Sequence, residues 1–270
     1  MTVSPIRRSV KDLIPFLRQF KRLCACLLQR KPFVYRTRET ISLHFDLMVV
    51  QSEMRRDAPG ELLIPYTQTM MGFLLFQPTP RRIAMIGLGG GSLAKYCYAK
   101  LPRASILVAE INPRVIALRD EFQVPMDDER FQVVCADGAD FVRDESTSFD
   151  VLMVDGFDRD GQSPQLCSAS FYADCHRRLA PGGLLVVNLV VEDPLLARSI
   201  ARIRHSFGTA VVVDSEDRTN RIAFARKGAT LALADGQLYA RLGALEQTHP
   251  VGLRCTLQRI RYEQYERVPA

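Results

Sequence analysis

The sequence predicts an α/β fold: a doubly wound, mostly parallel, seven-stranded sheet of Rossmann-like type. Three observations predict it. A short apolar run, Ile83 to Ile86, stops at Gly87, continues through Gly89, Gly90 and Gly91, and opens into a helical stretch from Ser92. From residue 81 onward, short apolar runs alternate with helix-periodic segments, the rhythm of parallel strands joined by crossover helices. Acidic residues stand at the ends of three successive runs: Glu110, Asp137 and Asp155. In a sheet of this kind, ligands bind beyond the carboxyl ends of the strands.

Residues 1–40 read as a basic helical arm. Ten lysines and arginines lie between Arg7 and Arg38, against Asp12 alone before Glu39. Leu13, Ile14, Leu17, Phe20, Leu23, Leu27 and Leu28 recur at helical spacing, interrupted near Pro15 and Pro32. The formal net charge of +6 and the pI of about 9.0 come from this arm. Packing of its apolar stripe on the body is the preferred reading; nucleic-acid or membrane-surface contact through residues 1–38 is the alternative.

Residues 41–80 read as a small β element plus a helix, a lid on the substrate side. Ile41 to Gln51 is strand-like, Asp57-Ala-Pro-Gly60 is a turn, Leu62 to Ile64 a returning strand, and Thr67 to Phe76 an apolar helix stopped by Pro78 and Pro80.

Residues 81–270 form the nucleoside-cofactor-binding catalytic domain. After the glycine strand come strands at 106–109, 131–135, 150–154, 184–189, 210–214 and 222–225. Helices are expected at Val115–Phe122, Phe171–Leu179 and Pro194–Phe207, with a turn at Pro181-Gly182-Gly183 and helical pattern beyond Gly228. No apolar run reaches 18 residues, and no uninterrupted apolar segment follows the N-terminus. A cytoplasmic protein without a membrane span is the expectation. Seven cysteines, with Cys24-Ala-Cys26 the closest pair and no zinc-type C-x-x-C, point to reduced thiols and no metal.

The chemistry concentrates at the strand ends. Gly87, Gly89 and Gly91 permit positive φ and close approach of a ligand to the backbone. Ser92 is expected to cap the following helix, whose N-terminus offers free N–H groups. Glu110 lies about 20 residues on, where a carboxylate hydrogen-bonds ribose hydroxyls. The last position of the dinucleotide fingerprint G-x-G-x-x-G/A falls on Ser92, so a single nucleoside fits better than NAD.

In this order, residues 41 to about 227 resemble the spermidine synthase family of polyamine aminopropyltransferases, which has the class I S-adenosylmethionine-dependent methyltransferase fold. Its glycine motif resembles Ile86-Gly-Leu-Gly-Gly-Gly-Ser92, its ribose-binding acid Glu110, its adenine-binding Asp-Gly Asp137-Gly138, and its catalytic loop Val154-Asp-Gly-Phe-Asp158. Phe171-Tyr172 and Leu179-Ala-Pro-Gly-Gly183 resemble the helix and turn that follow. Val49-Val-Gln51 and Pro65-Tyr66 resemble the family's β-domain glutamine and substrate-site tyrosine.

The resemblance implies Asp155 as base, Asp158 as its partner in orienting an amine, Tyr66 on the substrate, and Gln51 beside the cofactor. It implies decarboxylated S-adenosylmethionine or S-adenosylmethionine as cofactor, a small-molecule amine as substrate, and compatibility with a homodimer. The sequence departs from the family at Gly90, where an amine-holding aspartate is usual, at Thr67-Gln68 in place of His-Glu, and around Gly161-Gln-Ser-Pro164 in place of Gly-Pro-Ala. These departures bear on the acceptor. Two other readings remain open here: an S-adenosylmethionine-dependent methyltransferase, and a non-catalytic nucleoside-binding module.

Overall fold

A computed structural model of the chain describes residues 31–265 except 48, 145, 159–160, 229–230 and 232–234, and leaves aside the side chains of 158, 235–237 and 265. The predicted helices of the basic arm fall on residues outside this set. The arm's last residues are not helical: Phe33–Arg36 is strand β1. It pairs antiparallel with β2, Thr40–His44, which pairs antiparallel with β3, Val50–Arg55.

The single strand expected over Ile41–Gln51 is therefore two. The chain turns between them, and the Asp46 carboxylate closes the turn by accepting from Val49 N at 2.8 Å. Leu62 to Ile64 is not a strand. β3 takes the returning role, and Leu62–Ile64 is held as a loop by the next helix, through Gln68 Nε2 to Leu62 O at 2.8 Å and Thr67 Oγ1 to Ile64 O at 2.6 Å. That helix, α1, spans Pro65–Met70 and tightens into a 3-10 turn over Met71–Leu75.

The main sheet contains β4 (Arg82–Ile86), β5 (Ser105–Glu110), β6 (Phe131–Cys135), β7 (Phe149–Val154), β10 (Leu179–Val190), β11 (Val211–Asp214) and β12 (Asn220–Arg226). Its order is β11-β12-β10-β7-β4-β5-β6, with parallel pairing from β10 through β6 and antiparallel pairing at β12. The chain order reverses at β4, which lies between β5 and β7, so a crevice opens at its carboxyl end.

Both faces are buried, as continuous apolar runs require. Ile83 and Met85 of β4, with Val151 and Met153 of β7, join one core cluster. Ala84, Ile86, Leu152 and Val154 join the other. The covering helices are α2 (Ser92–Lys100), α3 (Pro113–Ile116), α4 (Gly138–Arg143), α5 (Ala169–Arg178), α6 (Leu196–Phe207), α7 (Asp235–Thr248) and α8 (Leu253–Tyr265).

Two local expectations are corrected. The helix at Val115–Phe122 is one turn, α3, capped by Asn112 accepting from Arg114 N at 3.0 Å; turns follow it. The cap of α2 is Gly91 in the left-handed region (φ 68°), with no side-chain capping bond, and Ser92 is the first helical residue. The five cysteines among the described residues are unpaired. Among the described residues no helix is long and apolar enough to cross a membrane.

Candidate active site

A cleft enclosing about 1110 Å³, its open mouth included, lies at the carboxyl ends of β4, β5, β6 and β7. Gln51, Tyr66, Gly87, Gly89, Glu110, Asp137, Gly138 and Asp155 line it. The fold therefore brings eight of the ten sequence-predicted residues to one wall system. Gly91 does not line it; a Cβ there would stand 2.5 Å from Val124 Cγ2, so this glycine serves the packing of the turn. Asp158 lies in a two-residue strand, β8 (Phe157–Asp158), which pairs with β9 (Gly161–Gln162); its side chain is outside the described set.

The glycine-loop side is built from backbone. Glu110, 8% exposed, accepts from Leu88 N through Oε2 and from Asn112 N through Oε1, each at 2.8 Å. One carboxylate thus fixes the loop after β4 and the start of α3. Its remaining lone pairs are free to accept hydroxyls. Asp137 caps α4, accepting from Ala139 N at 2.7 Å and Asp140 N at 3.4 Å through Oδ1, while also lining the cleft.

Gly87 is required sterically as well as conformationally. Its φ is 93°, and a Cβ would stand 2.2 Å from the Asp155 carbonyl oxygen. Gly90 is enclosed in a different way: a Cβ there would lie 2.6 Å from Ser52 Oγ and 2.8 Å from Phe122 Cδ1. Ser52 Oγ also lies 3.3 Å from Ser92 Oγ, joining β3 to the glycine turn. Behind the turn, Lys95 Nζ donates to Phe122 O at 2.7 Å, and burial lowers its pKa to about 8.

The Asp155 side is built from side chains. The Asp155 carboxylate accepts from Tyr66 OH at 2.9 Å through Oδ2 and from Asn188 Nδ2 at 2.8 Å through Oδ1. Burial raises its pKa above the ordinary carboxylate range, and the two donors oppose that rise. Burial, and then the charge of Asp155, push the Tyr66 phenol well above its usual value, so Tyr66 stays a donor at neutral pH. Phe45, Phe157, Ile111 and Leu166 add apolar wall to the cleft.

Asn188 and Ser52 are site residues that the sequence reading missed. Asn188 had a visible signal: one polar residue inside the apolar run Leu184-Leu-Val-Val-Asn-Leu-Val190. Ser52 had none, because its role depends on β3 folding against the glycine turn.

The geometry is that of a cleft with a glycine turn and Glu110 on one wall and the Asp155 carboxylate on another. The family model described as spermine/spermidine synthase domain matches residues 63–215. This chain belongs to the spermine/spermidine synthase family.

A polyamine aminopropyltransferase of Chromobacterium violaceum is 40% identical over 172 residues, 63% of this chain and 66% of that protein. One of Neisseria meningitidis is 37% identical over 182 residues, 66% of this chain and 69% of that protein. The alignments thus span about two thirds of each relative. A probable spermidine synthase of Corynebacterium glutamicum shares the fold at 19% identity, with a TM-score of 0.65 over 78% of this chain and 83% of that one. Human methyltransferase-like protein 13, solved with SAH, is 25% identical with a TM-score of 0.60 over 71% of this chain and 93% of that one.

Thr67 and Gln68, where the resemblance implies His-Glu, have a local role in this structure. Both side chains donate to the Leu62–Ile64 loop and so stabilise the scaffold of Tyr66.

Proposed function

We propose that this chain transfers an aminopropyl group from decarboxylated S-adenosylmethionine to a small amine. The observation that carries the reading is Asp155: a half-buried carboxylate with raised pKa, held by two neutral donors, in a cleft whose other wall is a glycine turn and Glu110. The cleft fits such a donor. Gly89 has only Ser52 Cβ, at 3.8 Å, near the place of a side chain, and Glu110 and Asp137 both face the same space.

When bound, the sulfonium donor supplies an electrophilic carbon next to positive sulfur, with a neutral thioether as leaving group. The chain's own task is to align the acceptor and take its proton. An alkyl ammonium has a pKa near ~10.4, so its lone pair is occupied at neutral pH. Asp155 accepts that proton as the C–N bond forms and the C–S bond breaks. Tyr66 and Asn188 keep the carboxylate oriented, and Asp158 is proposed to hold the amine from the hairpin side. Gln51 closes the cleft from β3. Glu110, Asp137, Gly138 and the backbone at Gly87 and Gly89 hold the nucleoside, with Gly91 shaping the turn.

A second reading, methyl transfer from the carboxylated donor, is favoured by one observation: Gly90 is packed against Ser52 and Phe122, which leaves no room for an amine-holding carboxylate at that position.

The test is turnover of the full chain with each donor and a panel of mono- and diamines, read by mass spectrometry. Methylthioadenosine formed from the decarboxylated donor is the expected product. S-adenosylhomocysteine from the carboxylated donor alone would transfer the assignment to methyl transfer. Nucleoside binding without either product would leave a non-catalytic module.

A further inference from the structure

Asn188 sits on β10, 2% exposed, one residue beyond the Val187–Val154 pairing that aligns β10 with β7. An unpaired amide in that position would be strongly destabilising. It is paired at both ends instead. Nδ2 donates to Asp155, and Oδ1 accepts from Asn220 Nδ2 at 2.9 Å. Asn220, itself buried on β12, has its Oδ1 2.8 Å from the Thr219 hydroxyl, which also lies 2.9 Å from Asp217 Oδ2, and its backbone N donates to Ser215 Oγ at 3.1 Å.

The Asp155 carboxylate, an acceptor only, removes the usual two-fold freedom of the Asn188 amide. Asn188 must present its NH₂ to Asp155 and hence its oxygen to β12, where the Asn220 NH₂ meets it. The Asn188 backbone carbonyl also accepts from Gln162 Nε2 at 3.5 Å, so the same residue tethers the β8–β9 hairpin that follows Asp155. A core asparagine with only a packing role needs no carboxylate as its partner.

We propose that Asn188 is a positioning residue for Asp155, and that Asn220 braces it from the antiparallel edge of the sheet. The arrangement locks the carboxylate with one oxygen toward Asn188 and the other toward Tyr66. Its catalytic meaning rests on the transfer reading above; the positioning itself is measurable without turnover. Tyr66 is the titratable group in contact with Asp155, and Glu110 and Asp137 are the other carboxylates on the described cleft wall.

The experiment is a pH titration of the Asp155 side-chain carboxyl by carbon-detected NMR in the full chain, with the signal assigned by its loss in Asp155→Asn. In Asn188→Leu, which keeps volume and removes the donor, Asp155 should become an acid about tenfold weaker, the scale of one hydrogen bond to a charged group. Asn220→Ala should shift it the same way by less, because it releases the amide without touching Asp155. Asn188→Asp places a second carboxylate beside the first and should give the largest upward shift. Where turnover is measurable, the acid limb of kcat should move with the titration while methylthioadenosine affinity stays put.

An unmoved Asp155 midpoint in Asn188→Leu, or in Asn188→Asp should the leucine variant fail to fold, overturns the proposal. A shifted midpoint in a chain that transfers from neither donor would sink the transfer reading and leave the positioning intact. Full turnover with an unmoved midpoint would do the reverse.

Discussion

On the glycine-loop side of the cleft, Glu110 grips Asn112 N, two positions on, and Leu88 N, 22 positions back across the β4–β5 crossover, and Asp137 grips the first N–H groups of its own helix. On the opposite side, Asp155 is gripped by Tyr66, 89 positions earlier, and by Asn188, 33 positions later. The first wall is made by strand ends and their own turns, so it is preorganised as soon as the sheet forms. The second is made by side chains from α1 and β10 that meet only in the finished fold. The first side can be tuned residue by residue. The second responds as a network.

If that contrast holds, substitutions on the two sides separate turnover from affinity. The largest effect is expected for Asp155→Asn, which keeps shape and removes the proposed base. Turnover at neutral pH should fall about 10²–10⁴-fold with methylthioadenosine affinity nearly unchanged. Loss that follows affinity alone would make Asp155 a binding residue and erase the distinction.

Gly87→Ala should breach the contrast deliberately. The added methyl meets the Asp155 carbonyl at 2.2 Å with φ at 93°, and backbone on both sides leaves little room to yield. A stability loss of roughly 2–5 kcal/mol is expected from overpacking plus left-handed strain, measured by denaturant unfolding, with both affinity and turnover impaired. A stable, active variant would show that the two walls are not in contact.

Glu110→Ala should cost about 1.5–3 kcal/mol of methylthioadenosine affinity by calorimetry, the range for hydrogen bonds to a charged group, without shifting the acid limb of kcat. The acid limb itself belongs to the other wall. Because burial raises the Asp155 pKa, the rate should decline with acidification at a pH above the ordinary aspartate range of ~3.9.

Stability carries the same sign. The folded state binds this proton more tightly than the unfolded state does, so the group's contribution is full below ~3.9 and is lost as pH rises through the folded value. The thermal midpoint of the native chain should therefore fall relative to Asp155→Asn across that window; parallel curves would remove the burial argument. Deleting residues 1–30 should have the smallest effect, leaving turnover unchanged, because every site candidate lies beyond them.

The contrast also explains what could be read in advance. The seven strands of the sheet were legible because each is an apolar run closed by glycine, proline or an acid. Glu110, Asp137 and the glycine turn were legible because their partners lie within the same βα unit. Asp155 was legible by its strand end, but Asn188 was not, because its meaning depends on β10 settling beside β7 in a particular register. The first β element was misread over Ile41–Gln51 because a side-chain turn at Asp46 interrupts what looks like one run. Ser92 was misassigned as a cap because hydroxyl chemistry pointed there, whereas the left-handed Gly91 ends the turn one residue earlier.

The contact between Gly87 and the Asp155 backbone also bears on how such a chain can drift. Every single-codon replacement of that glycine adds a Cβ, and there is no space for one. The turn and the strand end that carries Asp155 are thus tied together against change, while Thr67 and Gln68 answer only to the Leu62–Ile64 loop. On the transfer reading, a lineage built on this frame can exchange side chains that face the acceptor long before it can relinquish the glycine turn or move the aspartate beside it.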